Sequence, residues 1–453
     1  IDAPDGWGAA HPVAETHSNP LFDITPGLTA APASQVERTM AGPSAILISR
    51  RDDSDVDGLI TLTCDLDYKS ATALSNPDRD NWLSALRDEH SSLMANATYN
   101  LVPRSQRMRI LPVKWVFNQK LGSDGAIERF KCRLVAKGFR QRPGLDFLDV
   151  YAPVTARSTV RLLLATAAHK GMYLRQLDIK TAFLNGLISE DLYMEQPEGF
   201  KIGDGSMVCK LQRAIYGLKQ APRAWHLALK QVLATIGFKP CRSDPAIFAR
   251  RESDGSWSYV NTYVDDFLVA VMFLRIYDEI LLAMRGAKWD VKELGVPVQY
   301  LSLDMDVVVD AAGRTVKVTL CQRNAIDTFI AKLSLESIAP ASVPMDAKWD
   351  HDTFAESSPP LPADNQYPSI IGMLLYLSVC TRPDIAYAVS TLSRYTAAPL
   401  LADLQAATRV FGYLKRTRDM GLSYARPADC GPSSPLSVTV YTDASYGEDR
   451  EMR

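Results

Sequence analysis

The stretch Asn261-Thr-Tyr-Val-Asp-Asp-Phe-Leu-Val-Ala-Val-Met272 sets two adjacent carboxylates, Asp265 and Asp266, among apolar β-formers. Burying one unpaired carboxylate costs several kcal/mol, and two neighbours repel by about 4 kcal/mol at a 4 Å separation and an effective dielectric near 20. Folding alone favours neither, so a positive partner belongs beside them. Tyr263-Val264 and Phe267-Leu268-Val269 read as two short strands, and an Asp-Asp pair at their reversal projects both carboxylates from a hairpin tip. Oxygen-only ligation of this kind favours Mg²⁺ or Mn²⁺ over zinc; Mg²⁺ takes one or two protein carboxylates beside water and substrate phosphates.

Upstream, the segment 112–139 reads as a second hairpin. Val113, Trp115 and Phe117 alternate before an Asp124-Gly125 turn, and a strand follows over 130–136. Arg104, Arg107, Arg109, Lys114, Lys120, Arg129, Lys131, Arg133, Lys137, Arg140 and Arg142 are opposed within it only by Asp124 and Glu128. A chain of net charge −2 thus carries one strongly basic module, whose natural partner is phosphate. An exposed sheet face carries basic residues between apolar ones too, so the hairpin alone leaves that alternative open.

With 453 residues, 47% hydrophobic and 23% charged, the chain has the composition of a globular protein of two or three domains. It is not a wholly basic nucleic-acid coat, and no run of 18 apolar residues suggests a membrane span. Seven cysteines and six histidines lie scattered, with no C-x₂-C pair and no zinc spacing, so the thiols read as reduced and structural. Residues 1–75 are rich in Pro, Ala, Ser, Thr and Asp and read as a mostly disordered leader or linker. The initial Ile and the abrupt end lead us to expect a piece of a longer translation product.

Order is expected from Asn76, with Asn76 as N-cap, Pro77 at N1, and Trp82, Leu86 and Leu93 on one helical face. A strand over 174–179 delivers Asp178. Pro222 opens a helix with Trp225, Leu229, Leu233 and Ile236 as its stripe, ending at Gly237. A short amphipathic helix spans 325–333, a Pro-rich linker 339–368, and helical segments 370–377 and 404–415. A strand over 436–441 then leads to Asp443.

These blocks together resemble the reverse transcriptase of Ty1/copia-type LTR retrotransposons, from about residue 76 to the end. The resemblance is carried by Val113-Lys-Trp-Val-Phe117, Arg129-Phe-Lys-Cys-Arg-Leu-Val-Ala-Lys-Gly-Phe139, Tyr151-Ala-Pro-Val154 and Gln176-Leu-Asp-Ile-Lys-Thr-Ala-Phe-Leu-Asn-Gly186. Tyr193-Met-Glu-Gln-Pro-Glu-Gly-Phe200, Tyr216-Gly-Leu-Lys-Gln-Ala-Pro-Arg-Ala-Trp225 and Tyr263-Val-Asp-Asp266 complete it. It implies an α+β right-hand polymerase: fingers and palm over 76–285, a thumb-like segment over 286–338, linker and connection over 339–435, and a truncated RNase H-like start over 436–453.

By the same resemblance Asp178 joins Asp265 and Asp266 as a third carboxylate, and the three hold two Mg²⁺ ions, with Mn²⁺ as an alternative. Read by itself, Asp178 is a strand-end or turn residue. Lys131 and Arg133 resemble fingers residues that close on the incoming dNTP. Phe183 resembles the ring that excludes a ribose 2′-hydroxyl, and Gln220 matches a nucleotide-contacting Gln. Implied partners are an RNA or DNA template with its primer and dNTPs, in a cytoplasmic virus-like particle with no membrane. Only Asp443 of the RNase H carboxylates is present, so no RNA degradation is expected. Two departures stand out: the apolar run 267–274 where a polar segment is usual, and Ser302 where Gly is usual. The competing expectation is a decayed or co-opted chain that binds nucleic acid without polymerising; a maturase-like or RNA-making polymerase shares the palm but does not predict these blocks or Phe183.

Overall fold

The computed structural model describes residues 46–47, 60–121, 126–347, 349–427, 434–436 and 438–442. Ordered structure begins ahead of Asn76, so the leader expected through residue 75 is too long. Strand β1 (Ile60–Cys64) and a short helix Tyr68–Thr72 precede α1 (Arg79–Ala95). Five alternating residues are too few to stand out in a polar stretch, but they find a ready edge on β2 (Val113–Leu121), which they pair antiparallel. The α1 cap is Asp78 rather than Asn76; the Asn76 side chain instead accepts the Asp78 N–H at 2.9 Å. Trp82, Leu86 and Leu93 are buried, as their spacing predicts. Trp82 meets Phe117 and Phe130 edge-on, at 5.3 and 4.6 Å.

Strands β2 and β3 (Ile127–Ala136) form the expected basic hairpin, whose Asp124-Gly125 turn lies outside the described residues. Its neighbouring cations are less unopposed than the local sequence suggests. Arg104 pairs with Glu195 at 2.7 Å, and Arg109 and Arg142 reach Asp146 at 3.7 and 3.5 Å. Those acids arrive through tertiary structure.

A central antiparallel sheet follows. Helix α2 (Arg157–Lys170) leads into β4 (Tyr173–Ile179); α3 (Ala221–Thr235) leads into β5 (Lys239–Pro240), β6 (Ile247–Arg251), β7 (Trp257–Tyr263) and β8 (Asp266–Val271). Helix α4 (Leu274–Gly286) then delivers β9 (Val291–Gly295), giving the strand order β5-β6-β7-β8-β4-β9. Every residue of β8 is buried. Phe267, Val269 and Val271 enter one core with α3 and α4, while Leu268 and Ala270 enter another with α2. A strand covered on both faces reads apolar at each position, which accounts for the departure at its start.

Because β9 pairs with β4, the sheet extends past residue 285, and the segment expected to be thumb-like begins by completing it. A second sheet runs β10 (Gln299–Tyr300), β11 (Leu303–Val309), β12 (Thr315–Cys321), β13 (Leu422–Ala425). Helices α5 (Arg323–Lys332), α6 (Tyr367–Cys380), α7 (Ala386–Ser393) and α8 (Leu401–Arg416) share one core. The Pro-rich 339–368 stretch is interrupted by a short helix, His351–Ala355. The strand expected over 436–441 is absent among the described residues there. Val438, Val440 and Tyr441 are exposed, and alternation without a sheet neighbour does not make a strand. Asp443 lies outside the described residues. No described helix is long and apolar enough to cross a membrane, and the six described cysteines are unpaired.

Candidate active site

The β7–β8 register pairs Tyr263 with Asp266, leaving Val264 and Asp265 as a two-residue turn. Only Asp265 therefore sits at the reversal; Asp266 opens β8. Val264 has φ 57°, a left-handed value that costs a β-branched residue roughly 1–3 kcal/mol. Two hydrogen bonds hold it there. The Trp225 indole donates to the Val264 carbonyl at 2.6 Å, and the Ile179 N–H donates to the Asp265 carbonyl at 2.9 Å. Trp225 is itself braced by Trp289, with ring centroids 4.8 Å apart.

Asp178 lies directly opposite Asp266 on β4, so both side chains share a face of the sheet. Asp265 is 9% exposed and Asp266 2% exposed, with Asp178 half-buried. The Asp265 carboxyl is pushed up to about 7, first by burial and then by the charge of Asp178; Lys131 and Arg133 offset this in part. Its Oδ1 is buried without a hydrogen-bond partner. Among the described residues no three His, Cys, Asp or Glu side chains converge as a ready-made metal cage. A lone buried oxygen facing like charge nonetheless fits a hard divalent cation that completes its shell with water and phosphate. Asp178 and Asp265 are the side chains best placed to hold one.

Lys131 and Arg133 project from the same face of β3, half-buried and buried respectively. The Arg133 guanidinium lies 5.1 Å from the centroid of the Tyr216 ring, and Tyr216 meets Phe183 edge-on at 5.1 Å. Tyr216 is thus the joint between two residues that the sequence placed in the site separately. Nothing in its own chemistry marks it; the signal was Gly217 after it. Gly217 has φ 87°, and a Cβ there would meet the Ala136 carbonyl at 2.2 Å. The close approach lets Ala136 N–H donate to the Tyr216 carbonyl at 2.8 Å, fastening this loop to β3.

Phe183 sits half-buried on a 3-10 turn, Ala182–Asn185, five residues beyond Asp178. Gln220, matched by sequence to a nucleotide contact, has both ends of its amide engaged within the protein. It is buried, its Oε1 accepts from Gln141 at 3.0 Å, and its Nε2 donates to the Asp146 carbonyl at 3.0 Å. Its amide ties down the 141–146 loop. Below the carboxylates, Asn261 donates to the Tyr300 hydroxyl at 2.7 Å, linking β7 to the second sheet. Burial, and then the charge of Asp266, pushes the Tyr300 phenol well above its ordinary range.

The profile of the family described as "Reverse transcriptase (RNA-dependent DNA polymerase)" matches residues 96–347. The retrovirus-related Pol polyprotein from transposon TNT 1-94 of Nicotiana tabacum is 35% identical over 392 residues, covering 84% of this chain and 28% of that protein. The Pol polyprotein from transposon RE1 of Arabidopsis thaliana is 34% identical over 84% of this chain and 25% of its own length. The putative transposon Ty5-1 protein of Saccharomyces cerevisiae is 34% identical over 60% of this chain and 83% of its own. The chain therefore spans about a quarter of the Pol polyproteins it matches. A structure of the foamy viral protease-reverse transcriptase in complex with double-stranded DNA superposes with a TM-score of 0.39 at 13% identity, over 74% of this chain and 48% of that one. A likeness of that size adds nothing to the family match.

Proposed function

As this chain belongs to the reverse transcriptase family, and within it to the Ty1/copia-type retrotransposon Pol proteins, we propose that it is an RNA-directed DNA polymerase core that extends a primer 3′-hydroxyl with dNTPs. The observation that carries the reading is the placement of Asp178 opposite Asp266 on adjoining central strands, with Asp265 at the turn beside them. On this reading the basic hairpin is the fingers, the central sheet the palm, and the segment beyond β9 the thumb and connection. Two divalent cations, when bound, lower the pKa of the primer hydroxyl and neutralise charge developing on pyrophosphate.

The protein's own groups supply the remainder. Asp178 and Asp265 hold the cations, and Asp266 adds charge from the first position of β8. Lys131 and Arg133 receive the triphosphate from the fingers side. Phe183, backed by Tyr216, lies under the incoming sugar and leaves a 2′-hydroxyl neither space nor a hydrogen-bond partner. Gln220 acts through the loop it fixes, since direct contact with a nucleotide would cost it both hydrogen bonds.

Primer extension on an RNA template with Mg²⁺ and dNTPs tests this directly. Extension is expected; primer–template binding with no extension would leave a nucleic-acid-binding chain and end the polymerase reading. Phe183→Ala tests the sugar contact. Losing a buried polar partner costs roughly 1–3 kcal/mol and steric overlap adds to it, so the ring can support about hundredfold discrimination. The variant should incorporate rNTPs far better relative to dNTPs, measured by competition on one template. An unchanged ratio would return Phe183 to a packing role.

A further inference from the structure

Two loops meet beside the basic hairpin, one leaving β3 over 137–146 and one entering α3 over 216–220. They touch through glycine. A Cβ on Gly138 would overlap the Gly217 carbonyl, as one on Gly217 would overlap that of Ala136, so the two backbones run closer than side chains allow. Gln141 then crosses the seam. Its Oε1 accepts the Lys219 N–H at 2.8 Å and its Nε2 donates to Gln220 Oε1 at 3.0 Å, so one buried amide grips two consecutive residues of the facing loop.

The two loops are not equally braced. In the first, Asp146 Oδ2 accepts the Arg142 N–H at 2.7 Å, and the Gly144 N–H donates to the Phe147 carbonyl at 2.8 Å. The second is held more loosely by itself. Its backbone bonds from Leu218 to Ile215 and from Ala221 to Leu218 measure 3.4 and 3.3 Å, beyond the usual range for an amide donor. Ile215 and Leu218 anchor it in the core, and Gln141 secures its polar edge. A methionine at 141 would fill the same space, yet it would deprive the Lys219 N–H and Gln220 Oε1 of the partner they have. What this loop carries is Tyr216, with the Arg133 guanidinium and the Phe183 ring each 5.1 Å from its ring centroid. We infer, on the reading that Phe183 lies under the sugar and Arg133 receives the triphosphate, that Gln141 is a positioning residue: it docks the 216–220 loop on the basic hairpin and so sets Tyr216 behind Phe183 and beside Arg133. Sugar choice then depends on a side chain whose amide is occupied at both ends within the protein.

Gln141→Met keeps the length of the side chain and removes both hydrogen bonds. In competing dNTP and rNTP incorporation by the full chain on one template, the dNTP-over-rNTP ratio should fall about fivefold, with KM for dNTP raised and primer–template affinity parental. Gln196→Met separates positioning from plain destabilisation. Gln196 is comparably buried and fixes a different loop, its Nε2 donating to the Ile202 and Met207 carbonyls, both at 3.1 Å, and its Oε1 accepting the Ile202 N–H at 2.8 Å. Its loss should lower the urea midpoint and leave ratio and KM parental. Tyr216→Leu tests the route, because in that background Gln141→Met should change the ratio no further. An unchanged ratio in Gln141→Met, the same fall in Gln196→Met, or an equal fall in the Tyr216→Leu background overturns the inference. If Gln141→Met does not fold, Gln141→Asn decides: its amide stops a methylene short of the facing loop and must lower the ratio, and a parental ratio overturns the inference. Phe183→Ala separates this from the reading beneath it. A ratio unchanged by Phe183→Ala removes the sugar contact itself, whereas a Phe183-dependent ratio that ignores Gln141 removes only the positioning role.

Discussion

Among the described residues two hairpins turn on two residues each, and both place non-glycine residues at positive φ. At Val264-Asp265 only Val264 is left-handed, at 57°. At Leu301-Ser302, between β10 and β11, both residues are, at 50° and 60°. The first turn is clamped by Trp225 and Ile179 and presents a buried carboxylate; the second lies one hydrogen bond away through Tyr300 and presents none. Strain held from outside and coupled to charge marks a working turn. Strain without such coupling is a stability cost that a better residue would remove.

The largest effect that separates them comes from the charge. Asp265→Asn, and equally Asp178→Asn, should reduce primer extension by two orders of magnitude or more while leaving primer–template binding largely intact. Extension above a few per cent of the parent rate would detach the first turn from the chemistry. The same substitution should change stability in the opposite direction. The folded-state pKa of Asp265, about 7, lies above its ordinary 3.8. Between roughly pH 4 and 7 the native chain therefore keeps a proton that the unfolded chain has released. Stability contributed by that proton, on the order of 4 kcal/mol in all without divalent cations, is present at low pH and is lost as pH rises through about 7, roughly 3 kcal/mol of it between pH 5 and pH 8. Urea unfolding at pH 5 and pH 8 without divalents should show this slope in the parent and not in Asp265→Asn. Mg²⁺ should recover stability at pH 8 in the parent alone.

An intermediate effect comes from the strain itself. Val264→Gly removes the left-handed penalty but adds backbone freedom to the unfolded chain, for a net gain below about 1 kcal/mol. It also slackens the turn that aims Asp265. We expect a modest rise in unfolding midpoint with a several-fold fall in kcat and little change in primer–template affinity. If kcat held, the Trp225 and Ile179 clamps alone would suffice to set the carboxylate.

How much of this was readable from the chain depends on whether a feature was local. The Asp-Asp pair amid β-formers, the stripe of Trp225, Leu229 and Leu233, and the alternation of Val113, Trp115 and Phe117 each follow from spacing, and each lies where spacing puts it. Asp178 needed the resemblance, because one Asp at a strand end carries no mark until β4 is laid beside β8. Tyr216 escaped for a similar reason: it meets Arg133 and Phe183 only once β3 and the loop before α3 are packed together. For Gln220 the motif points to a nucleotide contact, and only the fold shows that the 141–146 loop also engages both ends of its amide. The acids that oppose the basic hairpin, Glu195 and Asp146, were in view but not adjacent.

The smallest effect is the sharpest test of the comparison. A two-residue turn with both positions left-handed favours glycine at the second, because a Cβ there costs roughly 1–2 kcal/mol. Ser302 bears that cost in a turn that carries no carboxylate of its own. Ser302→Gly should therefore stabilise the chain by about 0.5–1 kcal/mol after the entropy of the unfolded glycine is subtracted, with extension rate and Mg²⁺ requirement unchanged. Leu301→Gly serves as its control. Leu301 is half-buried against the core that includes Tyr300 and Leu303, so lost packing should cancel the conformational gain and leave stability level or lower. Urea midpoints of the two variants, set beside their kcat, decide the matter. A stabilised Ser302→Gly with parental kcat keeps the second turn a matter of folding alone. A fall in kcat would mean that the Asn261–Tyr300 hydrogen bond carries the shape of this turn to the carboxylates, and that both turns belong to one device.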